Sequence, residues 1–171
     1  NGCSNLTSIT LNSGVTTIYD YAFYGCDNLT GELVIPNSVT NIGYSVFYGC
    51  RNLAGVSIGD GVTVVSNATF YDCRNLKKIT LGKNIETIDM SSNFDRWAVS
   101  SVTFNMNTVK DWFREFPEIT EVHFGDNVQT ITGGAFAHCD IDSVHIPAGV
   151  TSIEDYAFSW NQHLRKVTVT P

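Results

Sequence analysis

Five cysteines are the most reactive side chains in the sequence, and their spacing indicates what they do. Cys3, Cys26, Cys50 and Cys73 follow one another at offsets of 23, 24 and 23 residues. Cys139, like Cys26, Cys50 and Cys73, stands three residues after a phenylalanine. All five therefore hold one slot of a repeating unit, and equivalent slots stack. The expected arrangement is a column of buried thiols, because free cysteine packs as a small hydrophobe. Disulfides between adjacent rungs are the alternative, although parallel stacked side chains rarely offer the dihedral a disulfide needs. The odd count and the replacement of the slot by Arg96 and Asn161 favour packing, so the cysteines say little about redox compartment.

A second column has binding chemistry. The residue between the two apolar positions of each strand-like segment is Thr10, Val34, Ser57, Thr80, Thr103, His123, His145 and Thr168 in turn. Strand propensity alone favours such a threonine-rich outer face, yet an extended polar sheet face is also what repeat proteins use for binding. The candidate ligand face is Thr80, Thr103, His123 and His145, with Lys78 and Glu121 beside them. His123 and His145, near Glu121, Asp142 or Glu118, have the residue types of a metal site, since stacked rungs bring equivalent atoms to within about 5 Å. No second shell is legible for it, so no metal ligand and no cofactor is assigned. The sequence lacks G-x-S-x-G, H-E-x-x-H, C-x-x-C and a phosphate-cradling loop. Asp20, Glu86, Asp89 and Glu154 fall in turns as solvated charges, and no carboxylate pair has a spacing that favours glycoside cleavage. No catalytic residue is assigned.

These columns require a coil of fixed period. Val15, Val39, Val62 and Ile85 recur at offsets of 24, 23 and 23, and Val128 and Val150 continue the series 22 apart. An isoleucine follows three residues after Val15, Val39, Val128 and Val150, and a phenylalanine eight after. A period in the low twenties marks a solenoid. Segments such as Leu53–Ile58, Leu76–Leu81 and Leu164–Val169 alternate apolar and polar residues, which is strand periodicity. The expected fold is a mainly β solenoid of about seven to eight rungs, roughly 35 to 40 Å long, with a parallel sheet on one face and short strands and turns on the other. Gly25 and Gly49 mark a tight turn or a one-turn helix in the A-F-Y-G-C part of their units.

The pattern lapses at about residues 89–118. The phenylalanine and cysteine slots fall there on Asn93 and Arg96, with Phe94 one residue late. Met106 and Val109 take the next apolar places and Phe113 or Phe116 the aromatic one. Phe94, Trp97, Trp112, Phe113 and Phe116 crowd into this stretch. Core repacking accounts for them; a partner-binding patch of Trp97, Trp112 and Arg96 is the alternative.

Ten Lys plus Arg against seventeen Asp plus Glu give a formal charge of −7 with no basic run. That argues against nucleic acid and against an anionic lipid surface as partners. No apolar run approaches the ~20 residues that span a membrane. The chain begins and ends inside a unit, so it reads as one array over residues 1–171 cut from a longer protein.

The run Leu6-Thr-Ser-Ile9-Thr-Leu11-Asn-Ser-Gly-Val15 resembles the conserved half of a leucine-rich repeat. AFYGC (Ala22 to Cys26), VFYGC (Val46 to Cys50), AFAHC (Ala135 to Cys139) and the pairs Ile35-Pro36 and Ile146-Pro147 resemble the BspA-like bacterial surface repeats, whose fold is a right-handed superhelix. The resemblance implies a secreted or cell-surface protein of a host-associated microbe that adheres to host or matrix proteins, to glycans or to other cells, and it implies no catalytic residue. A purely structural spacer and a polysaccharide-processing parallel β-helix are the competing functions. The sequons at Asn5, Asn28 and Asn67 read as repeat wording rather than glycosylation sites.

Overall fold

The computed structural model describes residues 2–170. Numbered along the chain, the two-residue strands β1 (Thr17–Ile18), β3 (Asn41–Ile42), β5 (Val64–Val65), β7 (Thr87–Ile88), β9 (Thr108–Val109), β11 (Thr130–Ile131) and β13 (Ser152–Ile153) alternate with longer ones. The longer strands are β2 (Gly31–Ile35), β4 (Leu53–Ile58), β6 (Lys78–Leu81), β8 (Ser101–Phe104), β10 (Glu121–Phe124), β12 (Ser143–Ile146) and β14 (Lys166–Val169). Each turn of the coil thus carries one long and one short strand, a parallel β-solenoid of about seven turns. The long strands pair in parallel as β2-β4-β6-β8-β10 and, separately, β12-β14, in register except for a shift between Gly31 and Glu32 where β2 meets β4.

Alternation drives the register. Leu33, Val56, Ile79, Val102 and Val122 are register partners and buried, so a one-residue slip would turn an entire apolar row into solvent. Leu6, Ile9 and Leu11 lie half-buried against the core as expected, but no strand forms there. The hydrogen bond from Thr30 N–H to the Thr7 carbonyl (3.1 Å) falls just ahead of the strand positions.

Opposite the sheet, the phenylalanines form a file. Phe23, Phe47, Phe70, Phe94 and Phe113 stack at 5.4, 5.5, 5.6 and 5.9 Å between ring centroids, and Phe136 stacks on Phe158 at 5.4 Å. Phe104, from the sheet, fills the interval by packing edge-on against both Phe113 and Phe136. A second device sets the file. Left-handed residues come in pairs four apart, such as Tyr21 with Gly25, Ser45 with Gly49 and Tyr156 with Trp160. They turn alternate N–H groups toward the next turn, so Phe23 donates to the Val46 carbonyl (3.0 Å) and Phe47 to the Thr69 carbonyl (2.9 Å).

The irregular turn corrects one expectation. Phe94, not Asn93, occupies the aromatic place, and Arg96 is exposed instead of lying in the thiol column. Asn93 is buried, and its side chain stands in for main chain displaced by the slip. Its Oδ1 accepts the Phe70 N–H (3.0 Å), while Nδ2 donates to the carbonyls of Ser66 (2.9 Å) and Asp89 (2.7 Å). Ser92 Oγ likewise accepts the Ala68 N–H (3.0 Å), where Ser45 uses the Asn67 carbonyl. Met106, Val109 and Phe113 take their expected buried places.

All five cysteines are free. Each buried thiol after the first donates to the phenylalanine carbonyl one turn back: Cys50 to Phe23 (3.4 Å), Cys73 to Phe47 (3.2 Å) and Cys139 to Phe113 (3.3 Å). Asn161 in the same slot donates Nδ2–H to the Phe136 carbonyl (2.8 Å), a stronger version of that bond. Cys3 departs from the expected column and is exposed, because among the described residues only the following turn covers it. Burial pushes the other four thiols up, Cys50 to about 12 and Cys139 to about 11.

At about pH 8, a thiol reagent is therefore expected to label Cys3 alone in the folded chain and all five cysteines in guanidinium. Phe47→Ala, which removes a fully buried ring from the middle of the file, is expected to destabilise the fold by about 3–5 kcal/mol in a denaturant titration.

Candidate functional site

Because strands alternate, the outer side of the long sheet presents two columns. One runs Glu32, Gly55, Lys78, Ser101, Glu121, and the other Val34, Ser57, Thr80, Thr103, His123, all register partners. Gly55 keeps the first column open, since a Cβ there would stand 2.9 Å from Glu32 Cγ. Over that gap Lys78 Nζ reaches to 3.9 Å from Glu32 Oε1. His123 Nε2 lies 3.7 Å from Glu121 Oε2. A shallow depression of about 240 Å³ lies between these two pairs, floored by Ser57, Thr80, Ser101 and Thr103. Exposed pairs of this kind contribute only ~0–1 kcal/mol, so their charges are free to re-pair with a ligand.

Five of the six candidate face residues, Lys78, Thr80, Thr103, Glu121 and His123, line this one depression. His145 does not join them. β12 pairs with β14 and makes no strand ladder with β10, and His145 is held by Thr168 Oγ1 at Nδ1 (3.0 Å) and Thr170 Oγ1 at Nε2 (2.9 Å). The two histidines thus have separate partners. Among the described residues no cluster of three or more His, Cys, Asp or Glu is placed to hold a metal ion.

The aromatic candidates divide in the same way. Trp97 is exposed and borders a depression of about 320 Å³ with Arg96, whose Nη1 is 4.0 Å from Glu115 Oε2. Trp112 is half-buried against the core, with Lys110 Nζ 5.4 Å from its ring centroid. Phe94, Phe113 and Phe116 are core. Sequence reasoning passed over the outer rings of the turns: Tyr24, Tyr48 and Tyr71 stack at 4.7 and 5.2 Å, and His138 stacks on Trp160 at 5.7 Å. The signal was present, since each of these rings follows its turn's phenylalanine by one or two positions.

The loop beyond each cysteine is tied by polar ladders. Asn28 Nδ2 donates to the Ser4 carbonyl (2.6 Å) and Asn52, which lies in no sequon, makes the same bond to Asp27 (2.7 Å). Arg51 bridges Asp27 (3.3 Å) and Asp72 (2.8 Å), and Arg74 also holds Asp72 (2.6 Å). Burial pushes the Asp72 carboxyl up, but the bonds from Arg74 and Arg51 outweigh it and hold the group below the usual carboxylate range.

The sequence profile of the BspA type leucine rich repeat region matches the chain in six copies, over residues 1–111 and 108–171, and the chain belongs to that family. Among solved structures it is similar to a leucine rich cell surface protein from Faecalibacterium prausnitzii A2-165, at 27% identity and a TM-score of 0.54 over 91% of this chain and 43% of that one. It also resembles a leucine-rich repeat protein from Bacteroides ovatus ATCC 8483, at 18% identity and a TM-score of 0.38 over 98% of this chain and 70% of that one. A third, from Eubacterium ventriosum ATCC 27560, has 16% identity and a TM-score of 0.40 over 97% and 60%. The chain spans less than half the length of the first of these. No curated protein matches it. Among the described residues no helix is long and apolar enough to cross a membrane.

A carboxylate whose folded pKa is depressed contributes stability that is present above the ordinary carboxylate pKa and lost as pH falls through the folded value. Asp72→Asn is therefore expected to lower stability by roughly 0.5–1 kcal/mol at neutral pH, and the difference from the parent should vanish in acid melts.

Proposed function

We propose that this chain is a non-enzymatic binding module of an extracellular or cell-surface protein, and that it holds a host or matrix protein on its strand face. The observation that carries the reading is the depression between Glu32–Lys78 and Glu121–His123, where four charged or titratable side chains, each more than half exposed, flank a floor of hydroxyls. Apart from the His123 imidazole at its edge no ring borders the depression, and no Trp, Tyr or Phe does, which favours a polypeptide's amides and charges over the apolar faces of a sugar. The family and the surface protein from Faecalibacterium support the location; neither names a ligand.

A spacer role is the second reading, favoured by the ring file and the turn-to-turn hydrogen bonds that stiffen the coil. The two differ on the strand face. Under the binding reading, immobilised chain retains at least one member of a panel of matrix proteins and mucins saturably in surface plasmon resonance. Lys78→Glu combined with His123→Glu is then expected to weaken that binding by about tenfold or more, as for loss of a central charged contact. Silence across the panel sinks the binding reading in favour of the spacer.

A further inference from the structure

We propose a second site, independent of the strand face: a trough along the turn side that binds a linear polysaccharide of neutral sugars. Three adjoining depressions form it. One of about 480 Å³ runs from Tyr71 to Trp97. The next, of about 320 Å³, shares Arg96 and Trp97 with the first and extends to His138. The last, of about 300 Å³, shares Pro117 and His138 with the second and ends on Trp160. The trough therefore crosses the turns of Phe70, Phe94, Phe113, Phe136 and Phe158, a length of roughly 19 Å at ~4.8 Å per turn.

The rings that line it are open to solvent, Trp97 and Trp160 at 68% each and Tyr71 at 45%. His138 and Trp160 lie parallel within 8° at 5.7 Å. Their backbone belongs to the coil's regular left-handed places, at which the side chain is free to vary. His138 (φ 60°) and Trp160 (φ 59°) occupy the left-handed place that Gly25 and Gly49 fill in other turns. A bulky residue is disfavoured there, and the Trp160 ring gains little burial in return.

Sugar rings present apolar C–H faces to aromatic rings and hydroxyls to polar groups at the edges. Here the edges carry Gln162, the bonded pair His163 and Asp140, and the pair Arg96 and Glu115. Each cation has an acid beside it, Arg74 with Asp72 and Arg96 with Glu115, so no positive field selects a polyanion; the chain as a whole carries −7. Spacing separates a glycan from a proline-rich peptide. An extended 1,4-linked sugar advances by ~5 Å, close to the one-turn step from Tyr71 to Trp97 and from His138 to Trp160, whereas a polyproline helix repeats its side chains every ~9 Å and would meet one ring of each pair.

The test is isothermal titration of the chain with cellohexaose, mannohexaose and xylohexaose, with tryptophan fluorescence as the second readout. Saturable binding of at least one hexaose is expected, with Trp97→Ala and Trp160→Gly each weakening it by about tenfold. Glycine suits the backbone at residue 160, so Trp160→Gly should melt no lower than the parent while losing affinity. Lys78→Glu on the strand face should leave hexaose binding unchanged, which keeps this test apart from that of the strand face. No binding to any of the three hexaoses, parental affinity in Trp160→Gly, or displacement of the bound hexaose by decaproline would each overturn the proposal.

Discussion

Every turn of this molecule leaves an apolar flank that only another turn can cover. Phe47 shows the constraint in its simplest form, because it is fully buried between Phe23 and Phe70, residues a whole turn away on either side. No turn has a core of its own, so stability resides at the interfaces between turns, as in a one-dimensional stack. The two kinds of strand, the ring file and the thiol column are four parallel expressions of that dependence, and each repeats at the same period.

Hydrogen bonding makes the constraint more demanding than apolar packing would. Left-handed residues aim alternate N–H groups of each turn at its successor, and those groups need acceptors at set heights once buried. The turn at residues 89–97 shows that the acceptor matters more than its chemistry. Asn93 Oδ1 and Ser92 Oγ take the places of carbonyls, and the file continues through Phe94 without a gap. Asn161 in a cysteine slot makes the same point with a donor. Sequence can drift at a position so long as a polar atom stays where the neighbouring turn requires one.

That distinction explains what could be read from the residues alone. Inward positions were legible, because Val, Ile, Phe and Cys recur at one spacing and burial follows from the spacing. The slip at Phe94 was not, because counting slots by residue number misses an amide that replaces main chain. Nor could His123 be told from His145. Both hold one slot in adjacent turns, but the first faces Glu121 along a continuous sheet and the second is held by Thr168 and Thr170 beyond a break in it. Trp97 and Trp112 looked alike for the same reason; only packing shows one in solvent and the other against the core.

With the inward rows committed to stacking, variation is left to two outer strips. On the strand strip the register fixes two columns at ~4.8 Å steps, so neighbouring charges such as Lys78 and Glu32 are presented on a regular lattice suited to the irregular polarity of a protein surface. On the turn strip the left-handed place tolerates glycine best, and a ring installed there points away from the file. The strips share no lining residue: Glu32, Lys78 and His123 border one, Trp97, His138 and Trp160 the other. A coil built this way can change one recognition surface without disturbing the other, because the only thing the two have in common is the stack between them.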